Sequence, residues 1–307
     1  MSTFFLLFLP VIVPILGGFG VFIIRFQNRT ARQIYVGAVV IVNMILSLVA
    51  IFVAPKGQTV TLIPFTENYS IALRLDGMAV FFGFILCTLW VVATFYSFEY
   101  MKHEGKENKF FGFYTMSFGI AMGLAFSANL LTFYLFYELL TLGTLPLVMH
   151  AMNPQAQYAG KKYIVYSIGG AAFAFIAMVF MMYYGTSLDF TFGGVLDMLQ
   201  VAGHEQWLLV VFVLAFFGFG VKAAVFPLSG WLPSAGVAPT PVTALLHAVA
   251  VVNAGVYALV RLIYYTFGTE FLSGSWAQYV VMSAALVTIV YGSSMALRTP
   301  HLKRRLA

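Results

Sequence analysis

Long apolar runs alternate with short polar breaks along the whole chain. A membrane-crossing helix needs roughly 20 mostly apolar residues, because the hydrocarbon core is about 30 Å thick and a helix rises about 1.5 Å per residue. Nine stretches fit that template, at about 4–24, 33–54, 78–98, 110–127, 129–150, 162–184, 207–228, 241–265 and 277–297. The first lacks the basic leader of a secretory signal and carries Pro10 and Pro14 inside its apolar run, so it is expected to remain as a helix. The expected fold class is all-α, a polytopic membrane protein of about nine transmembrane helices.

Composition strengthens that reading. Of 307 residues, 62% are hydrophobic and only 8% charged, against about 25% charged in soluble domains; the mean hydropathy is +0.94. So few charges cannot coat a water-facing surface. This excludes soluble enzymes, disordered tails and nucleic-acid-binding domains, and makes the lipid bilayer the chain's solvent. The single cysteine, Cys87, excludes a disulfide framework and any Cys-based metal or iron–sulfur site. The chain carries no phosphate loop, dinucleotide fingerprint or His-Glu-x-x-His motif. No nucleotide, metal or other cofactor is therefore expected. The abundant Phe and Met are most simply lipid-facing and packing residues.

The sixteen Lys and Arg residues set the orientation. With the N-terminus outside, inner segments hold Arg25, Arg29, Arg32, Lys102, Lys106, Lys109, Lys161, Lys162, Arg298, Lys303, Arg304 and Arg305. Outer segments hold Lys56, Arg74 and Arg261, and Lys222 falls inside a span. Cytoplasmic loops carry the excess of basic residues in membrane proteins. Nine spans, N-terminus out and C-terminus in, follow. Residues 99–109 read as a charged, solvated loop, and 185–206 as a longer outer loop with a short surface helix flanked by glycines.

Few ionisable groups remain at membrane depth, where a charge costs at least about 2.5–3.5 kcal/mol and tends to be paired and functional. Glu138 stands at the middle of NLLTFYLFYELLTLGTLPLVMH, and Lys222 in VFVLAFFGFGVKAAVFPLSGWLP. They are either a pair that fixes helix packing or a transport pair. Two apolar residues often serve packing as well as a buried ion pair does, so transport better explains why both are present. A low-dielectric site disfavours the charged form of each group and a nearby opposite charge restores it. Moving one partner therefore changes the proton affinity of the other, which makes a switchable relay.

Pro227, Pro233, Pro239 and Pro241 punctuate the stretch after Lys222. They mark either an interfacial loop or a broken helix, which is tolerated at membrane depth only inside protein or beside a watery cavity. His247 follows, with Asn253 further along the same span. A lone His on an apolar helix is often a packing residue, but its ordinary titration range suits proton exchange. His150 reads as an interfacial residue. Lys161 and Lys162 open span six as topology anchors, although Lys162 can also turn inward.

At these residues the chain resembles the antiporter-like proton-translocating subunits of respiratory complex I, shared with Mrp-type sodium/proton antiporters and membrane-bound hydrogenases. The matching stretches are LLTFYLFYELLTLGTLPL, GVKAAVFPLSGWLPSAGVAPTPVTALLHAVAVVNAGVYALVR and the terminal LRTPHLKRRLA. The resemblance implies helices 1–3 over residues 1–109, a five-helix antiporter repeat (spans four to eight, the seventh broken) over 110–265, and the start of a truncated second repeat over 266–307. It implies that Glu138 modulates the central Lys222, that Lys222 accepts and releases a proton, and that His247 and Lys162 belong to the relay. Asn253 stands where another branch of the family has a lysine, and His301 where an Asp often precedes the Leu-Lys motif. The resemblance further implies other membrane subunits as partners, protons and possibly sodium as cargo, and a prokaryotic inner membrane as location. The competing readings are a structural membrane-anchor subunit with a degenerate relay and a self-standing cation/proton exchanger.

Overall fold

A computed structural model describes residues 2–306 of the chain. It opens on two helices, α1 (Thr3–Ile24) and α2 (Arg29–Val53), followed by strands β1 (Thr59–Pro64) and β2 (Ser70–Arg74). The helices α3 (Gly77–Tyr100), α4 (Glu107–Ala125), α5 (Leu130–Val148) and α6 (Pro154–Tyr184) come next. The expected outer loop contains the short α7 (Met198–Val201), and α8 (Glu205–Gly220) opens the stretch expected as the seventh span. After it come α9 (Trp231–Ala235), α10 (Thr240–Ala244), α11 (Val251–Val260), α12 (Thr269–Leu272), α13 (Trp276–Arg298) and α14 (Leu302–Leu306). Two π-helical segments, Leu245–Val249 and Arg261–Phe267, interrupt the apolar helical stretch Thr240–Phe267. Among the described residues, seven helices are long and apolar enough to cross a membrane. The chain is a helical, multi-pass membrane protein.

Side-chain capping explains where five of these helices start. A side-chain oxygen at the N-cap satisfies one of the orphan N–H groups of the first turn. Asn28, Asp76, Asn129, Asn153 and Ser275 each do so, accepting from Thr30, Ala79, Thr132, Ala156 and Gln278 respectively. The Asn153 cap, with Pro154 in the first turn, starts α6 eight residues ahead of the apolar run that begins at 162.

Three expectations are corrected. The chain is not purely α: β1 and β2 form an antiparallel hairpin with Val60 opposite Leu73, and its end continues into the fold through the hydrogen bond from Arg74 N–H to the Phe126 carbonyl. The expected break in the 207–228 stretch lies ahead of the prolines rather than at them: α8 ends at Gly220, leaving Lys222 on irregular backbone. Arg261, counted among the outer charges, is 1% exposed inside the fold. Its guanidinium makes a two-pronged ion pair with Asp76 at 2.5 and 2.8 Å, bonds the Tyr257 hydroxyl at 2.6 Å, and stacks near the Phe190, Tyr257 and Tyr265 rings. A buried charge survives when paired and fully hydrogen-bonded, and Asp76 supplies the pair while also capping α3.

The 185–206 segment carries the short helix expected of it, and its backbone is pinned to neighbouring elements. Leu130 N–H donates to the Leu188 carbonyl, Gly193 N–H to Tyr264 and Val195 N–H to Thr266. On the opposite side Glu107 pairs with Arg29 and Arg32, and His150 bonds the Gly105 carbonyl at 3.0 Å, fastening the 99–109 loop. Helices α6 and α8 meet at glycines: a Cβ on Gly218 would stand 2.6 Å from the Gly170 carbonyl oxygen, so only a hydrogen fits. Small residues of this kind let membrane helices approach backbone to backbone.

Candidate functional site

The centre of the site is the broken end of α8. Lys222 is fully buried. Its ammonium donates a hydrogen bond to the backbone carbonyl of Tyr137 on α5 and lies 3.3 Å from the centroid of the Tyr137 ring. Desolvated ammonium over an aromatic face is a strong cation–π arrangement. The Tyr137 hydroxyl in turn donates to the Phe219 carbonyl at 2.9 Å. Tyr137 thus grips the break twice, through its hydroxyl at the last turn of α8 and through its ring and carbonyl at Lys222.

Glu138 is the next residue on α5. Its side chain is half-buried, and Oε1 is buried without a hydrogen-bond partner. No Glu138–Lys222 ion pair within 4.0 Å forms among the described residues. The two charges that the sequence singles out are brought together, but as neighbours across one peptide unit. The ammonium is held by the carbonyl that joins Tyr137 to Glu138, leaving the carboxylate oxygen unsatisfied. A buried acceptor without a partner is costly.

The break itself is held from two further sides. Trp231 Nε1 donates to the Val221 carbonyl at 2.7 Å, satisfying an acceptor at the point where the helix stops. On α11, a Cβ at Gly255 would lie 2.2 Å from Ala223 N and 2.6 Å from the Lys222 carbonyl carbon. The irregular backbone is therefore buried against protein, the condition under which a membrane helix tolerates a break.

Lys162 turns inward, as the inward reading allowed, and donates to Ser234 Oγ on α9 at 3.2 Å; Lys161 is exposed. Helices α5 and α6 also carry a set of hydroxyls. Tyr163 bonds Thr144 at 2.8 Å, whereas Thr141 Oγ1 and Ser167 Oγ are buried without partners. His247 sits in the first π-helical segment of the eighth span, and neither of its ring nitrogens has a partner. The widened turn is closed by Ala250 N–H donating to the Leu245 carbonyl, while Asn253 Nδ2 donates to the Ala248 carbonyl at 2.8 Å. π-bulges of this type are frequent at functional sites. Eight residues separate His247 from the Gly255 contact, roughly 12 Å along a helix. No hydrogen bond joins His247 to Lys222 or Glu138 among the described residues.

Sequence reasoning missed Tyr137, Tyr163 and Trp231. Tyr137 adjoins the one mid-span carboxylate, and Trp231 lies in the proline-punctuated stretch; adjacency was the available signal in both cases. At no point is a cluster of metal-binding side chains formed among the described residues.

Comparison with known proteins places this geometry. Residues 127–307 match the family model described as NADH:quinone oxidoreductase/Mrp antiporter, TM. The chain is 28% identical over 296 residues to a Na(+)/H(+) antiporter subunit of Alkalihalophilus pseudofirmus, covering 93% of this chain and 36% of that protein. It is 26% identical over 315 residues to the chloroplastic NAD(P)H-quinone oxidoreductase subunit 5 of Piper cenocladum, covering 98% and 42%. The chain thus spans about two fifths of the length of these curated relatives. The same fold occurs in the Mrp complex of Dietzia sp. DQ12-45-1b, with a TM-score of 0.80 at 23% identity over 97% of this chain and 32% of that one. It also occurs in the archaeal membrane-bound sulfane sulfur reductase, with a TM-score of 0.79 at 21% identity over 97% and 61%. The family match extends over more than half the sequence and includes the break after α8, the π-bulged stretch Thr240–Phe267 and the buried Lys222: the chain belongs to the NADH:quinone oxidoreductase/Mrp antiporter transmembrane family.

Proposed function

We propose that this chain translocates protons, or exchanges sodium for protons, through a membrane half-channel as one subunit of a multisubunit complex. The observation that carries this reading is the fully buried Lys222 ammonium held on broken backbone beside an unsatisfied Glu138 oxygen. Lys222 is the group that takes up and releases the proton. Glu138 stabilises the protonated ammonium when its carboxylate swings toward it, and relinquishes it when the ammonium rests on the Tyr137 carbonyl. Lys162 stands at the far end of the hydroxyl set Tyr163, Thr144, Thr141 and Ser167, and His247, with water, carries the proton onward along the eighth span. The driving force is supplied by partner membrane subunits, as redox energy or an ion gradient, and the location is a prokaryotic inner membrane.

Nine crossings, with the N-terminus out and the C-terminus in, accompany this reading. Helices α4 and α8 join the seven candidate spans, α8 being extended by the segment that ends at Ala235. With Arg261 taken into the fold beside Asp76, the basic residues divide as twelve inside, two outside (Lys56 and Arg74) and two (Lys222 and Arg261) assigned to neither side, which sharpens the positive-inside bias. Spans four to eight, residues 110–265, form the working repeat, with 1–109 before it and 266–307 after it.

The test is Lys222→Ala in a complex that contains this chain, with ion flux and assembly of the complex read in parallel. Flux abolished while assembly persists is the expected result. Normal flux in both Lys222→Ala and Glu138→Gln complexes would overturn the relay and leave a membrane anchor.

A further inference from the structure

Helix α3 lies along the π-bulged stretch Thr240–Phe267 and is tied to it on both sides of the first bulge. Ahead of the bulge, Thr240 Oγ1 donates to the Tyr100 hydroxyl at 3.1 Å, where α3 ends. Beyond the bulge, the N-cap of α3, Asp76, takes both prongs of the Arg261 guanidinium. Between the two ties α3 packs on α10 and on the first π-helical segment, and Phe82 stacks on Tyr257 with ring centroids 4.7 Å apart. Helix α3 itself is unbroken over 24 residues, a rod of about 36 Å.

A π-bulge takes one more residue into its turn than an α-helix does. Gaining or losing it turns everything beyond by about 100° and slides it by about 1.5 Å. The bulge at Leu245–Val249 therefore decides which residue of α11 faces the break after α8. In the observed register that residue is Gly255, where a Cβ would stand 2.2 Å from Ala223 N. A shift of one residue would bring Ala254 or Val256 to the same place, and each carries the Cβ that the contact excludes. His247 does nothing to hold the bulge, since neither of its ring nitrogens has a partner.

We propose that α3 is a strut that keeps this stretch in its bulged register, with Tyr100, Thr240, Asp76 and Arg261 as positioning residues. Thr240 precedes the bulge, Arg261 follows it, and both are fixed to one rigid helix. The two halves of the stretch cannot turn against each other while both ties hold. The strut thereby sets where His247 lies and, through Gly255, where the backbone of Lys222 rests. Its consequence for ion flux rests on the proposed relay; the register itself does not.

Amide hydrogen exchange of a complex containing this chain, read by mass spectrometry on peptides spanning Leu245 to Ala250, tests the strut. Tyr100→Phe keeps the ring and removes the accepting hydroxyl. Arg261→Lys keeps a charge and gives up the two-pronged grip. The net worth of a hydrogen bond corresponds to about a two- to tenfold change in an opening equilibrium. Each variant should speed exchange at the bulge by about that factor, and flux per assembled complex should fall with it. Tyr35→Phe is the control: it deletes the bond from the Tyr35 hydroxyl to the Gly17 carbonyl, between α2 and α1, and should leave exchange at the bulge unchanged. If Arg261 only stabilised its surroundings, exchange would rise beside Asp76 and not at the bulge. Unchanged exchange at the bulge in either variant would overturn the strut, and so would an equal rise in Tyr35→Phe. Faster exchange with unchanged flux would overturn the positioning role. Lys222→Ala, measured alongside, separates that result from failure of the relay, in which it too would keep its flux.

Discussion

The Lys222 ammonium is bonded to the backbone carbonyl of Tyr137 and lies over the ring of the same residue. One aromatic side chain therefore holds both the buried charge and, through its hydroxyl on the Phe219 carbonyl, the end of the helix that delivers it. Tyr137→Phe removes only the hydroxyl contact and is expected to destabilise the chain by about 1–3 kcal/mol, the cost of leaving a buried partner unsatisfied. Tyr137→Leu also removes the cation–π contact, worth about 2 kcal/mol or more when desolvated, and should be less stable than the Phe variant by that amount. Thermal unfolding of the purified protein in detergent checks the ordering. Equal stability of the two variants would mean that the ring does not hold the ammonium.

His247 is expected to trade stability for transport. Both ring nitrogens lack partners in the bulged turn, and an unpaired buried polar group costs about 1–3 kcal/mol. His247→Leu should therefore raise stability by about 1 kcal/mol while slowing ion flux in the assembled complex. A variant that is both more stable and fully active would remove His247 from the relay.

Apolar run length made the helices legible, because a bilayer demands that length and little else does. Glu138 and Lys222 were legible for a related reason: a lone charge inside such a run is conspicuous. The hairpin was not, since TVTLIP and SIALR are short, mixed segments between two spans that resemble any outer loop. Nor was the position of the break. The prolines begin at Pro227, but the helix ends at Gly220, where the Tyr137, Trp231 and Gly255 contacts converge. Those contacts come from α5, α9 and α11, and no local pattern encodes them. Arg261 was misplaced for the same reason. Its partner Asp76 lies 185 residues away in sequence, so proximity to the end of a span was the only cue to its surroundings.

The Asp76–Arg261 pair gives a stability signature with a defined sign. Burial pushes the Asp76 carboxyl up, but the bonded guanidinium outweighs it and holds the group below its ordinary value of 3.8. A depressed carboxylate adds stability above its unfolded pKa and loses it as pH falls through the folded one. Asp76→Asn preserves a capping oxygen for Ala79 N–H but strands the buried guanidinium. It should cost about 3 kcal/mol, the low end for breaking a buried pair, because Asp76 keeps 21% of its side chain exposed. Unfolding scans of wild type and variant should differ by a constant amount from about pH 5 to pH 8 and draw together only as pH falls through the folded-state value, which lies below 3.8. Curves that stay parallel into acid would show that the carboxylate's charge is not what stabilises the pair.

Gly255 is the position where the smallest change should reach the relay. An added methyl would meet Ala223 N at 2.2 Å and the Lys222 carbonyl carbon at 2.6 Å, and both are backbone atoms that cannot rotate aside. Either α11 or the broken segment must move. Overpacking of this kind costs about 1–3 kcal/mol, so Gly255→Ala should lower thermal stability by that amount. Because the displaced atoms carry Lys222, ion flux should fall more steeply than stability alone explains. Gly292→Ala, at a site with open space, is the matched control and should leave both readouts near wild type. If Gly255→Ala lost stability but kept its flux per folded complex, the contact with α11 would brace the break without setting where the ammonium lies.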